Sequence, residues 1–162
     1  MNYNGPFAIR YPRGKACTRF REFNEPVLYG KSEVLYMEKD IALLAVGSMV
    51  ETASDVRDKL KEKGYNVSLI NARFVKPVDT TVIHRCAENH QLLVTLEENV
   101  YTGGFGERVC HYVEEACLNI KVLNISLPDD YVEHGNVEIL KAEEGINVDS
   151  VITRVESFYN NM

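Results

Sequence analysis

From residue 33 to the end of the chain, hydrophobic residues follow two alternating rhythms. Short apolar runs of strand length are each followed by a stretch whose apolar residues recur every three or four positions, the spacing of one helix face. Glu33–Met37 reads as a strand and Glu38-Lys39-Asp40 as a turn, short enough to make the first strand pair antiparallel. Ile41–Val46 is continuously apolar, as in a strand buried on both faces. Met49, Ala53, Val56 and Leu60 form one helical stripe that Gly64 ends. Ser48 and Glu51 have the spacing of a capping box at its start. Val67–Asn71 is the next strand. Pro77 breaks the chain, and Asp79 caps a second helix with Val82, Ile83, Cys86, Ala87 and His90 on its inner face.

The alternation continues through a buried strand at Leu92–Leu96, the polar stretch Glu97-Glu98-Asn99 and a glycine loop, Gly103-Gly104-Phe105-Gly106. The loop opens a third helix with the stripe Val109, Cys110, Val113, Ala116 and Cys117. Lys121–Leu127 is a further strand, stopped by Pro128-Asp129-Asp130. A short helix is predicted near Val137–Glu144, and a last one carries Val151, Ile152, Val155, Phe158 and Tyr159. Strands alternating with helices give an α/β fold. The expectation is three layers: a mostly parallel five-stranded sheet with one antiparallel edge strand, Glu33–Met37, and helices on both faces.

The first 32 residues do not share this rhythm. Phe7–Tyr11 reads as a short strand ended by Pro12-Arg13-Gly14. Proline stops strand pairing and glycine permits a sharp turn. Arg13 would thus be mounted on a stiffened strand end, its planar fork of donors suited to a phosphate or carboxylate. Residues 15–32 have sparse apolar residues without period and read as a linker over a surface. A strand so near a chain end has few neighbours, and Phe7–Tyr11 reads as the last strand of another domain.

Composition narrows the function classes. The chain has 162 residues, 45% of them hydrophobic, enough to bury a core. No run approaches the ~18 apolar residues of a membrane span, and no signal-like apolar stretch opens the sequence, so the expected location is the cytoplasm. The net charge of −6 argues against a general nucleic-acid binder. The four cysteines form no CxxC pair and read as free thiols. His84 and His90 are on different helix faces, so no metal site is expected.

Ligands of such sheets bind beyond the carboxyl ends of the strands, and three features fall there. Gly47-Ser48 reads as a plain helix cap, with an anion on free amides as the alternative. Glu97-Glu98-Asn99 with Gly103-Gly104-x-Gly106 offers a phosphate cradle. Against it, Val109 stands where a dinucleotide fingerprint needs its third glycine, and adjacent carboxylates repel a phosphate. A tight turn whose polar groups contact a neighbour is the other reading, with Glu97 and Glu98 pointing to opposite faces. Arg73 and Lys76, after Asn71, are strand-end cations for an anion or for carboxylates such as Glu97 and Glu98. His134, near Asp129 and Asp130, has the elements of an oriented base, but no nucleophile is spaced to join it.

These stretches together resemble a known family. Gly5-Pro6-x-Ala8-Ile9-Arg10-Tyr11-Pro12-Arg13-Gly14 is similar to the end of the pyrimidine-binding domain of 1-deoxy-D-xylulose-5-phosphate synthases. Asp40–Met49, Asn71–Asp79, Glu97–Gly106 and Leu127–Gly135 resemble, in order, the C-terminal domain of the transketolase superfamily. The Tyr-Pro-Arg-Gly and Leu-Pro-Asp…His-Gly stretches point to the synthases within it. A transketolase or a 2-oxo acid dehydrogenase β subunit, which share the C-terminal fold, is the nearest alternative. A non-catalytic interaction module is another.

The resemblance implies a transferase that condenses pyruvate with D-glyceraldehyde 3-phosphate, releasing CO2, in isoprenoid, thiamine and pyridoxal biosynthesis. It implies thiamine diphosphate and Mg2+ as cofactors of a homodimeric full-length enzyme. It assigns Arg13 to the phosphate of the aldehyde substrate, with Arg10 the weaker candidate. The family's metal motif, its activating glutamate and its site histidines have no counterpart here; in the family they lie upstream. The resulting expectation is a C-terminal fragment: residues 1–14 the end of the pyrimidine-binding domain, 15–32 a linker, 33–162 the C-terminal domain. No catalytic, cofactor-binding or metal residue is expected in the chain, and neither cofactor binding nor turnover by it alone.

Overall fold

The computed structural model describes residues 3–11 and 17–162. Five strands, β1 (Glu33–Tyr36), β2 (Asp40–Ala45), β3 (Val67–Asn71), β4 (His90–Val100) and β5 (Lys121–Leu127), form one sheet in the order β1-β3-β2-β4-β5. β2 pairs in parallel with both β3 and β4, and β4 with β5; only β1 is antiparallel. The helices are α1 (Met49–Glu62), α2 (Thr80–Asn89), α3 (Phe105–Glu115), α4 (Val137–Glu143) and α5 (Val148–Asn160). The expected α/β class, parallel sheet and antiparallel edge are all present.

The apolar run of β2 explains the layering. Ile41, Leu43 and Ala45 point into one core with Met49, Val56 and Leu60 of α1 and Val151, Ile152 and Val155 of α5. Ala42 and Leu44 point into the other, with Val82, Ile83 and Cys86 of α2 and Phe105, Val109 and Val113 of α3. A central parallel strand is covered on both faces, so it has no polar side to show. Burial of a large side chain contributes roughly 1.5–3 kcal/mol, and most of β2 is fully buried.

β1 departs from expectation in its partner. The Glu38-Lys39-Asp40 turn suggested a hairpin with β2, but β1 pairs with β3, Glu33 opposite Asn71 and Val34 opposite Ile70. Both hydrogen-bonding edges of β2 are taken by parallel neighbours, so β1 passes to the outer edge of β3. The Glu38 amide donates to Ser68 Oγ (2.7 Å), and Arg57 lies over the Tyr36 ring (4.0 Å) while pairing with Glu38 (2.5 Å). Lys61 also pairs with Glu38.

His90 is not on the inner face of α2. It is the first residue of β4 and is buried. Its Nε2 lies 2.7 Å from Ser68 Oγ and its Nδ1 3.0 Å from the Cys86 carbonyl. Burial pushes the imidazole below its usual range, against the opposing pull of the Cys86 carbonyl. Cys117, expected on the stripe of α3, lies beyond the helix and is exposed. All four cysteines are free, as anticipated.

The N-terminal region corrects a further expectation. Phe7–Tyr11 is not a strand; it has no ladder partner among the described residues and is exposed. A strand needs an edge to pair with. Residues 17–32 form no helix or strand but pack on the domain. Phe20 and Phe23 pack on the α1/α5 core, Phe23 edge-on to Tyr36 (5.4 Å). Lys31 Nζ and the Ser32 amide both donate to Asp79 (3.2 and 2.8 Å). No helix among the described residues is long and apolar enough to cross a membrane.

Candidate functional site at the carboxyl edge of the sheet

The chain order reverses beside β2: β2 leads to β3 on one side, and β3 leads back past it to β4. The crevice where ligands of open α/β sheets bind therefore lies between the carboxyl ends of β2 and β4. Ser48 follows β2, and Glu97 and Glu98 lie in β4. Adjacent strand residues face opposite sides, so the two carboxylates diverge as anticipated.

Glu97 points under α3 and is buried (3% exposed). Its Oε2 accepts from the Phe105 amide (2.9 Å) and its Oε1 from the Gly106 amide (2.8 Å). These are donors that a helix start leaves unpaired, and the helix dipole favours a negative charge there. Hydrogen bonds to a charged group contribute roughly 1.5–3 kcal/mol each. The Gly103 amide is taken by Glu107 (2.6 Å).

The glycines are sized for this arrangement. A Cβ at Gly104 would lie 2.5 Å from the Val100 carbonyl and 2.7 Å from Glu97 Oε1. One at Gly106 would lie 2.5 Å from Asn124 Oδ1. The motif that offered a phosphate cradle is filled by the chain's own carboxylate.

Glu98 points the other way and is partly open, its side chain 29% exposed. Ser48 Oγ donates to its Oε2 (2.6 Å), and Lys141 Nζ of α4 lies 2.7 Å from its Oε1. Burial alone would raise this carboxyl, but Lys141 and Ser48 outweigh it and hold the group below the usual glutamate range. The Ser48–Glu51 capping box is therefore not formed. Ser48 is the N-cap of α1 with no side-chain bond to a helix amide: its backbone is helical (φ −59°, ψ −26°) rather than extended as in a capping residue, and its hydroxyl turns to Glu98.

The remaining candidates separate. Arg73 pairs with neither Glu97 nor Glu98. Its Nη2 lies 2.5 Å from buried Glu33, and its guanidinium reaches the Glu25 and Pro26 carbonyls. Lys76 lines a surface groove with Pro77, Arg108 and His111. His134 is exposed, and no hydrogen bond joins it to Asp129 or Asp130 among the described residues. Arg13 lies outside the described residues. Arg10 is described, and its Nη2 donates to the Glu98 carbonyl (2.7 Å).

Lys141 was missed by sequence reasoning, since a lysine near the end of a short helix is ordinary. Asn124, which packs against Gly106, was missed for the same reason: one polar residue in an apolar strand carries no spacing signal.

Residues 30–151 match the family described as "Transketolase, C-terminal domain". The chain belongs to the transketolase C-terminal domain family. Over 156 residues it is 42% identical to a 1-deoxy-D-xylulose-5-phosphate synthase of Lachnoclostridium phytofermentans, covering 96% of this chain and 25% of that protein. It is 38% identical to the synthase of Dictyoglomus thermophilum, covering 97% and 26%. The chain thus spans about a quarter of the length of the curated relatives it matches. Among solved structures it is similar to "Split gene transketolase, inactive beta4 tetramer", with a TM-score of 0.76 and 24% identity over 81% of this chain and 43% of that one. That likeness shows the fold. The resemblance to the synthases read from the motifs therefore holds across nearly the whole sequence.

The described residues do not fit the cofactors of such enzymes. The amides of the glycine loop are spent on Glu97 and Glu107. No group of three or more His, Cys, Asp or Glu side chains among the described residues is placed to hold a metal ion.

Proposed function

We propose that the chain is the C-terminal part of a cytoplasmic, homodimeric 1-deoxy-D-xylulose-5-phosphate synthase. The complete protein would be a thiamine-diphosphate- and Mg2+-dependent transferase. It would condense pyruvate with D-glyceraldehyde 3-phosphate to 1-deoxy-D-xylulose 5-phosphate and CO2, supplying isoprenoid, thiamine and pyridoxal synthesis. The observation that carries this reading is similarity along 96% of the chain, at 42% identity, to a protein of that name.

In this reading residues 1–14 end the preceding, cofactor-binding domain, 15–32 are the linker and 33–162 the C-terminal domain. Arg13 would contact the phosphate of the aldehyde acceptor. The chain by itself neither binds the cofactor nor turns over. The filling of the glycine loop by Glu97 supports this, since the carboxylate stands where a diphosphate would need free amides.

The test is to assay the complete polypeptide with pyruvate, D-glyceraldehyde 3-phosphate, thiamine diphosphate and Mg2+, beside the 162-residue chain. Pyruvate-dependent formation of 1-deoxy-D-xylulose 5-phosphate by the complete protein alone is the expected result. Turnover with a ketose phosphate donor in place of pyruvate would move the protein to the transketolases. Turnover by the 162-residue chain would overturn the assignment of catalysis to the rest of the protein.

A further inference from the structure

Among the described residues, the N-terminal segment meets the domain through Tyr3 and through Arg10. Tyr3 stacks on Tyr29 (centroids 4.6 Å apart, planes at 11°), and Tyr29 meets Phe74, just beyond β3, edge-on (5.9 Å). Arg10 donates to the carbonyl of Glu98, near the carboxyl end of β4 (2.7 Å). β3 and β4 flank β2. The segment from Tyr3 to Arg10 therefore crosses the carboxyl edge of the sheet at its switch point. The reach is ample: extended chain covers about 3.3 Å per residue, against about 10 Å for two strand spacings.

The acceptor that Arg10 uses is unusually well fixed. Residue 98 is held by its side chain from two elements, Ser48 at the start of α1 and Lys141 on α4. α4 buries no residue of its own, and the Lys141–Glu98 pair ties it to the sheet edge. Phe7, Ile9 and Tyr11 recur at strand spacing and are 62%, 73% and 81% exposed, an apolar surface that the rest of the complete protein would cover.

We propose that the Ser48–Glu98–Lys141 node is a positioning device that seats the N-terminal segment through Arg10, and that Arg10 is a positioning residue for acceptor recognition. The inference rests on the synthase reading, in which Arg13, three residues further on in sequence, meets the acceptor phosphate. Arg10 is thereby removed from the list of direct phosphate contacts: its guanidinium is committed to a backbone carbonyl. A displaced segment would misplace the phosphate contact while leaving the reacting carbon's own chemistry to the other domains.

The experiment compares the complete enzyme with its Arg10→Ala, Arg10→Lys and Lys141→Met variants, using D-glyceraldehyde 3-phosphate and unphosphorylated D-glyceraldehyde as acceptors. Arg10→Ala should lower the ratio of kcat/KM for the phosphorylated over the plain acceptor about tenfold, the loss of one charge-assisted hydrogen bond, through KM. Arg10→Lys should recover part of it, and Lys141→Met should move the ratio less, in the same direction. Chymotryptic cleavage after Phe7 should be faster in Arg10→Ala. An equal fall with both acceptors, or no fall, would overturn the positioning role. A complete protein that forms no 1-deoxy-D-xylulose 5-phosphate overturns the synthase reading instead. Cleavage unchanged by Arg10→Ala would then overturn the seating as well.

Discussion

Glu97 and Glu98 are neighbours in sequence and in strand, yet they belong to different structures. On the α3 side, Glu97 is buried and consumed by backbone amides that cannot move without unwinding the helix. On the α1 side, Glu98 is half open and held by side chains, one of them on a helix with no buried residue. The first carboxylate is part of the fold. The second is a junction, made of contacts that can be released one at a time. Partners, not residue type, decide which role a carboxylate at a sheet edge takes.

The strongest way to break this contrast is to crowd the closed side. Gly106→Ala would put a methyl group against the Asn124 amide and should cost about 3 kcal/mol by urea denaturation. Glu97→Ala, which leaves two helix-start amides without their acceptor, should cost a similar amount. Glu98→Ala should cost about 1 kcal/mol. Equal losses at 97 and 98 would erase the distinction.

Acid tests the open side next. Glu98 has a lowered folded pKa, so its stabilisation is complete above its ordinary value of 4.5 and is lost as pH falls through the folded value. Glu38, held down by Lys61 and Arg57 against the opposing effect of burial, adds to the same window. His90 acts earlier. Its folded pKa lies below the ordinary 6.5, so its neutral form stabilises the fold above that value and the contribution fades as pH drops below it. Stability against pH should therefore fall in two stages. Glu98→Gln should shrink the lower stage, leaving the part that Glu38 supplies, and leave the upper one, which denaturation midpoints from pH 7 to pH 3 will show.

The smallest expected effect is the most discriminating. A double-mutant cycle between Ser48→Ala and Glu98→Gln should give a coupling of about 0.5–1 kcal/mol. The cycle between Ser48→Ala and Glu51→Ala should give none, because the hydroxyl faces the strand end rather than the helix. Coupling to Glu51 would restore the capping box and detach Ser48 from the junction.

The legible part of the molecule was its periodicity. The run at residues 41–46 could only be a strand covered on both faces, and the 49–60 stripe could only be one face of a helix. The Asp79 cap was readable because its bond is to an amide two residues away (3.2 Å). The errors came where a local rule met a distant competitor. Ser48 had a proper box partner, but its backbone stays helical and its hydroxyl turns to a carboxylate fifty residues off. The turn at 38–40 was hairpin-sized, and β2 had no free edge to offer. Phe7–Tyr11 had strand composition and no strand to join.

The sequence by itself determined the α/β class, the order of elements, the family and the divergence of the two glutamates, because all of these follow from spacing along one chain. Only the tertiary structure decided that Glu97 fills the glycine loop, that Lys141 and Ser48 converge on Glu98, and that Arg10 reaches the same residue across the sheet edge. Those contacts join residues up to 88 positions apart. Which of several nearby donors an acidic group meets is set by the packing of strands and helices around it, and no local pattern records that outcome.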